Sequence, residues 1–171
     1  FIIMSNKIIV TFENTGRWCG MNTCFFIGHR NTPDAVLPAL IQEVERHITE
    51  YGVTDFVVGH YGHFDTLAAQ AVMDAKQRHP SVTLTMLLPY HPAERPIPAP
   101  EGYDGTFYPP DMERVPRRLA IVRANHWMLC NSDYLIAYVR HPSNGSREVL
   151  EEARRREARG LIRVTNLAGW M

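Results

Sequence analysis

The sequence predicts an α/β protein built on a single open, doubly wound and mostly parallel sheet of about five strands, with helices on both faces. Five short apolar runs recur along the chain and are mostly continuous, as expected of strands buried on both faces. The segments between them have helical patterns, and alternating strands and helices form parallel units with right-handed crossovers. The predicted strands are Thr23–Ile27, Asp55–Val58, Thr83–Leu88, Tyr134–Val139 and Leu161–Thr165.

Four segments between or after these runs are predicted helices. In Leu37–Tyr51 the apolar residues recur at helical spacing, Pro38 suits a first turn, and Gly52 suits the position after the last turn. The other predicted helices are Phe64–Arg78, Glu113–Asn131 and Ser146–Arg159. Residues 89–112 are rich in proline, so we expect a long loop without regular structure. Loops of this length in a compact domain are a lid, a binding loop or disordered.

Length and composition indicate one domain and narrow the classes of partner. The chain has 171 residues, and 18 basic residues balance 18 acidic ones. A formal charge of zero disfavours a dedicated nucleic-acid binder and gives no reason to expect an anionic membrane partner. The three cysteines form no CxxC pair, so we expect no disulfide framework and a cytoplasmic protein. No apolar run approaches the roughly 20 residues of a membrane span.

The first residues differ from the rest of the chain. Met21 resembles a natural start that leads directly into the first strand, so residues 1–20 are expected to be a translated leader or sequence added for expression. The alternative is a short extra strand at Lys7–Phe12, which is rich in β-forming residues. Residues 21–171 are then expected to form the single domain.

Glycine and polar residues follow the predicted strands, at what should be one edge of the sheet. Five of the eight histidines also fall at this edge. A guanidinium group suits phosphate, glycines permit close approach or a positive φ, and helix N-termini attract anions. The sequence therefore predicts an anion-binding edge. Its candidate residues are Gly28, His29, Arg30, Gly59, Gly62, Asp65, Thr66, Asn144, Gly145 and Ser146.

Some of these residues have more than one interpretation. Asp65 and Thr66 could cap the second helix, or Asp65 could accept hydrogen bonds from ribose hydroxyls. His60 and His63 are spaced like metal ligands, but the sequence offers no third ligand at a supporting spacing, so we expect no metal. The chain contains no GxGxxG, GxxxxGK[ST] or GxSxG motif, which disfavours dinucleotide, P-loop and α/β-hydrolase sites.

Three blocks of the sequence resemble an uncharacterised bacterial family of the SLOG superfamily. That superfamily is named for the DNA-processing Smf/DprA proteins and the Lonely Guy proteins. The resemblance runs from about Thr23 to Asn166, and it implies a Rossmann-like sheet with a nucleotide-derived ligand at the edge described above. The blocks are "CFFIGHR", "VVGHYGHFDTLAAQAVMDAKQRHPSVTLTMLLP" and "RLAIVRANHWMLCNSDYLIAYV".

Individual positions match the family pattern. Gly28 and Arg30 match its Gly-x-Arg turn, and Gly62 and Asp65 match the glycine and aspartate after its second strand. The resemblance also implies roles for residues of the third helix, either at the site or in packing or dimer contacts. These are Arg123, Asn125 and Met128, followed by Asp133 just before the fourth strand.

One departure from the pattern concerns catalysis. Lonely Guy phosphoribohydrolases carry Pro-Gly-Gly-x-Gly-Thr-x-x-Glu after the fourth strand, where the glutamate assists N-glycosidic cleavage. Aligning Gly145 and Ser146 on Gly-Thr places Val149 at the glutamate position. Glu148 is adjacent, but one residue along a helix turns a side chain by about 100°. The resemblance therefore favours ligand binding over hydrolysis.

The predicted function is binding, as a sensor or carrier, of a nucleotide or nucleotide-derived phosphorylated ligand. The first alternative is a phosphoribohydrolase that acts on a nucleoside monophosphate, with Glu148 as the displaced acid and Arg123 holding phosphate. The second, single-stranded DNA binding, is disfavoured by the zero net charge. No cofactor and no membrane partner are expected, and a homodimer is left open.

Overall fold

A computed structural model describes residues 22–140 and 145–170 of the chain. Both expectations for the N-terminus, the leader and the extra strand at Lys7–Phe12, lie outside the described residues. The predicted site residue Asn144 also lies outside them.

The described residues form one parallel sheet of six strands, which confirms the predicted α/β fold class. The strand order is β4-β3-β2-β1-β5-β6. Strands β1 to β4 therefore lie side by side in chain order, and β5 and β6 lie on the other side of β1. The topological switch point lies between β1 and β5. The strands are β1 (Thr23–Gly28), β2 (Asp55–Val58), β3 (Thr83–Leu87), β4 (Gly105–Phe107), β5 (Tyr134–Tyr138) and β6 (Arg163–Asn166).

Helices cover both faces of the sheet. Alternate side chains of β1 enter two cores: Phe26 packs in the one that includes α1 and α2, and Phe25 in the one that includes α3 and α4. Both side chains are only 1% exposed. Burial on two faces explains why the strand runs are continuous rather than alternating. The helices are α1 (Leu37–Thr49), α2 (His63–Arg78), α3 (Ala120–Cys130) and α4 (Gly145–Ala158).

The structure departs from the predicted helix boundaries mainly before α3. The helix predicted from Glu113 begins at Ala120, and two 3-10 turns, Met112–Arg114 and Arg117–Leu119, precede it. Pro116 lies between the two turns, where it lacks the N–H that a continuous helix would need. This later start places Arg118 at the mouth of the site described below.

The proline-rich segment contains a strand that the sequence did not predict. Gly105–Phe107 has no proline and pairs with β3 as the edge strand β4, so excluding regular structure from this segment was wrong here. Asp104 fixes its register: its N–H donates to the Leu84 carbonyl at 2.8 Å and its carboxylate accepts the Leu84 N–H at 2.7 Å. Lys76 forms an ion pair with the same carboxylate. Within the two described stretches of the chain, no helix is both long enough and apolar enough to span a bilayer.

Candidate anion-binding site

A cavity of about 810 Å³ opens at the carboxyl edge of the sheet, at the switch point between β1 and β5. The residues after β1 and β5 form two of its walls, and α3 and the start of α4 form the others. Its lining residues are His29, Arg30, Asn31, Pro33, Arg118, Ile121, Val122, Asn125, Tyr138, Arg140, Gly145, Ser146 and Val149. We call this space the arginine cavity.

The charges around the arginine cavity are all of one sign. Arg30, Arg118 and Arg140 line it, and none of its described lining residues is a carboxylate. The three arginines are exposed, so their guanidinium groups are open to a ligand. The N-terminus of α4 adds Gly145 and Ser146 to the lining, and free backbone amides at a helix start favour an anion. The cavity is therefore suited chemically to a phosphate or a similar anion.

A smaller recess of about 100 Å³ lies beside the arginine cavity. The two spaces share four lining residues: Arg30, Ile121, Asn125 and Ser146. Among the described residues that line this recess, Asp65 is the one carboxylate. We call it the Asp65 recess. Two neighbouring spaces thus differ in charge: arginines line one, and a carboxylate lines the other.

Asp65 is held in place by the loop that enters α2. Gly62 is the N-cap residue of that helix, and Asp65 lies in its first turn. The Asp65 Oδ2 accepts the Tyr61 N–H at 3.1 Å, so the capping alternative considered above is present in the structure. Burial raises the pKa of Asp65 to about 6, although the backbone amides of Tyr61 and Gly62 partly oppose this rise. The same carboxylate also lines the recess.

Three glycines of the site allow neighbouring segments of the protein to pack more closely than a side chain would permit. An added Cβ on Gly28 would lie 2.2 Å from Cγ of Phe64, and one on Gly59 would lie 2.9 Å from Oδ2 of Asp65. One on Gly62 would lie 3.0 Å from Cα of Arg30. The positive φ that the sequence suggested for Gly28 is not found. These glycines therefore bring the start of α2 close to the end of β1.

One hydrogen bond joins the segments that follow β1 and β5, and a second joins the start of α4 to the end of β1. The His29 Nε2 accepts the Arg140 N–H at 2.8 Å, and the Ser146 hydroxyl donates to the Gly28 carbonyl at 3.3 Å. His29 therefore carries its ring proton on Nδ1 when this bond is formed. His29 thus fixes the backbone of Arg140, and it also lines the arginine cavity.

The structure brings most of the predicted site residues together. Those that line the arginine cavity or the Asp65 recess are Gly28, His29, Arg30, Gly59, Gly62, Asp65, Asn125, Gly145 and Ser146. Thr66, Arg123 and Glu148 are exposed and line neither space. Arg123 is two residues from Asn125, so the two side chains leave α3 about 200° apart.

Sequence interpretation missed two cationic residues of the lining. Arg140 lies two residues after the end of β5, so a charged residue beyond a strand end was the signal that could have identified it. Arg118 lies in a 3-10 turn that was predicted to be part of a longer helix, and its place at the cavity follows from the later start of α3.

His60 and His63, which are spaced like metal ligands, contact different residues in the structure. The His63 Nε2 lies 2.6 Å from Oδ1 of Asp34, whereas the His60 ring packs on Tyr61 with centroids 4.1 Å apart. Among residues 22–140 and 145–170, no three His, Cys, Asp or Glu side chains are arranged to hold a metal ion.

Comparison with known proteins supports the fold. DNA processing protein A (DprA) from Streptococcus pneumoniae superposes with a TM-score of 0.58 at 13% sequence identity, covering 87% of this chain and 60% of that chain. The molybdenum cofactor binding protein from Rippkaea orientalis superposes with a TM-score of 0.54 at 11% identity, covering 86% of this chain and 91% of that one. The chain thus has a DprA-like, Rossmann-type α/β fold.

Sequence comparison adds no family assignment. No protein-family model matches the chain. No curated protein matches it either. The chain spans 60% of the length of the DprA structure, and identities of 11–13% describe a shared fold.

Proposed function

We propose that this protein binds a nucleotide or a nucleotide-derived phosphorylated molecule in the arginine cavity, as a sensor or carrier. The observation that supports this most directly is the lining, which includes Arg30, Arg118 and Arg140 and, among its described residues, no carboxylate. Guanidinium groups pair with phosphate through parallel charge-assisted hydrogen bonds. The cavity lies at the switch point, where open α/β sheets bind their ligands.

The comparisons agree with this proposal in general terms. One structural neighbour is named as a cofactor binding protein and the other as a DNA processing protein. Binding of a ligand or of nucleic acid thus occurs among proteins with this fold. The formal charge of zero favours a small ligand over nucleic acid for this chain.

The arrangement of α4 favours binding over N-glycosidic hydrolysis. Val149 lines the arginine cavity, whereas the adjacent Glu148 does not. A phosphoribohydrolase needs a carboxylic acid beside the scissile bond, and Glu148 does not supply one in this arrangement. Asp65 is the carboxylate that a hydrolysis assay must test.

Nucleoside monophosphates and sugar phosphates at millimolar concentration are expected to raise the Tm of the protein. A ligand at about 100 times its Kd stabilises the folded state by about 2.7 kcal/mol through mass action. Replacing Arg30 or Arg140 with methionine should weaken binding about tenfold or more, because each change removes charge-assisted hydrogen bonds. Thermal shift and titration calorimetry on the three proteins measure both effects.

Arg154→Met is the matched control, since it removes one arginine from α4 where the side chain is paired with Glu157 at 2.8 Å. It should leave ligand affinity unchanged. The proposal fails if no phosphorylated ligand stabilises the protein, or if the Arg30 and Arg140 variants bind as the wild type does. Release of free base that is lost in Asp65→Asn or Glu148→Gln would replace it with hydrolysis. Stronger stabilisation by an oligonucleotide, falling steeply with salt, would replace it with nucleic-acid binding.

A further inference from the structure

We propose that the Asp65 recess is a subsite for a hydroxyl-bearing part of the ligand. The physiological ligand is then a hydroxylated organic phosphate, such as a ribonucleotide or a sugar phosphate, and not an inorganic phosphate or pyrophosphate. This inference rests on the proposed function, because it assumes that the arginine cavity holds the phosphate.

The first step is that a single molecule can occupy both spaces. Arg30 and Asn125 line the arginine cavity and the Asp65 recess alike, so the two spaces are neighbours. A ligand whose phosphate contacts Arg30 therefore lies next to a residue that also lines the recess. The recess, at about 100 Å³, has room for a few water-sized groups, which suits hydroxyls on a short carbon chain.

The second step concerns charge. A carboxylate offers acceptor oxygens and repels an anion, so Asp65 disfavours a phosphate in the recess and favours a group that donates hydrogen bonds. The arginines have the opposite preference. The two parts of the site thus orient a ligand that has an anionic end and a hydroxylated body, and they discriminate against a ligand that is anionic throughout.

The third step separates this role from helix capping. The Asp65 Oδ2 accepts the Tyr61 N–H, and an asparagine oxygen could accept the same hydrogen bond. Capping therefore does not require the negative charge. Burial makes that charge unfavourable, as the raised pKa of Asp65 shows. A buried carboxylate that lines a recess next to the arginine cavity is suited to accept a hydrogen bond from a donor on the ligand.

The test compares three probes at pH 8, where Asp65 is ionised: a ribonucleoside 5′-monophosphate, its 2′,3′-dideoxy counterpart and pyrophosphate. The wild type should bind the ribonucleotide about tenfold more tightly than the dideoxy compound, since hydrogen bonds to a charged acceptor are lost in the latter. In Asp65→Asn the ribonucleotide should weaken about tenfold, whereas pyrophosphate should bind equally well or more tightly because a repulsive charge is gone. Opposite changes for two ligands would not follow from a merely structural role.

Asp74→Asn is the matched control, because it makes the same substitution on the same helix at a side chain paired with Arg78 and should change neither affinity. The Tm of Asp65→Asn at pH 8 should equal or exceed that of the wild type, which shows that the variant is folded. Pyrophosphate binding that depends on Arg30, with no hydroxyl preference or with a preference that survives Asp65→Asn, overturns this inference and leaves the proposed function standing. If none of the probes binds, both fail together.

Discussion

Replacing Gly28 with alanine is expected to lower the free energy of unfolding by about 3 kcal/mol, because the added methyl group would overlap the Phe64 ring. The new Cβ would lie 2.2 Å from Cγ and 2.5 Å from Cδ1 of Phe64. Phe64 is fully buried and packs with Tyr138, ring centroids 6.4 Å apart, so it has little room to move aside. Urea unfolding measures the loss, and the Tm should fall by roughly 6–12 °C.

Gly145→Ala is the control for this prediction. A Cβ on Gly145 would meet its nearest neighbour, Cγ2 of Val122, at 3.8 Å, and alanine suits the first residue of a helix. Its stability should change by less than about 1 kcal/mol. Combining Gly28→Ala with Phe64→Ala should cost less than the sum of the two single changes, because they share one contact. A Gly28→Ala protein as stable as the wild type would show that the overlap does not exist.

Acidification is expected to remove about 3 kcal/mol of stability through His47 as the pH falls from about 6.5 to about 4. This side chain is 0% exposed, and burial lowers its pKa to about 4. The folded protein therefore holds His47 neutral where the unfolded chain already binds a proton. Stability from this group is complete above the unfolded pKa and is lost as the pH drops toward the folded one.

The surroundings of His47 explain why protonation is unfavourable. The Glu43 carbonyl oxygen lies 2.8 Å from Nδ1 and favours the protonated ring, but burial outweighs it. The ring packs edge-on against Tyr51 and Tyr134, with centroids 5.0 and 5.6 Å away. The nearby charges of Arg46 and Arg163 also oppose a second positive charge. Burial raises the pKa of Glu43, which favours folding at low pH and partly offsets the His47 effect.

Urea unfolding at several pH values between 4 and 8 tests the His47 prediction, because it measures how the free energy of unfolding changes with pH. In His47→Asn the free energy of unfolding should depend less steeply on pH over this interval. The number of protons taken up on unfolding should fall by up to one, whatever the substitution costs at neutral pH. Gln42→Asn changes an exposed side chain of the same helix that does not titrate, so it should keep the wild-type pH dependence. An unchanged slope in His47→Asn would rule out a neutral buried imidazole.

The strands could be predicted because a strand buried on both faces is a continuous run of apolar residues. Asp55–Val58 has the predicted bounds, and β1 extends one residue beyond its predicted end. The strand β4 has no such apolar run, because Gly105–Phe107 is short, lies at a sheet edge and is flanked by prolines. Its pairing depends on Asp104 meeting Leu84, a contact between residues far apart in the sequence.

The site was harder to predict than the fold, for a different reason. Strand ends identified Arg30 and Asp65, because topology alone brings such residues to one edge. The close packing of Gly28 against Phe64 could not be predicted, because the two residues are far apart in the sequence. Arg118 was missed because its position depends on where α3 begins, and exposed residues follow no periodic pattern that would place them.

The proline-rich segment also has a consequence for how the sheet ends. Its strand β4 is only 3 residues long, and Pro109 and Pro110 follow soon after it, without N–H groups to donate. At the opposite edge, in β6, the Val164 N–H donates to Glu157 Oε1 at 2.8 Å and is therefore occupied within the protein. A short, proline-flanked strand at one border and a backbone donor bonded to a side chain at the other both hinder the addition of a strand from another chain.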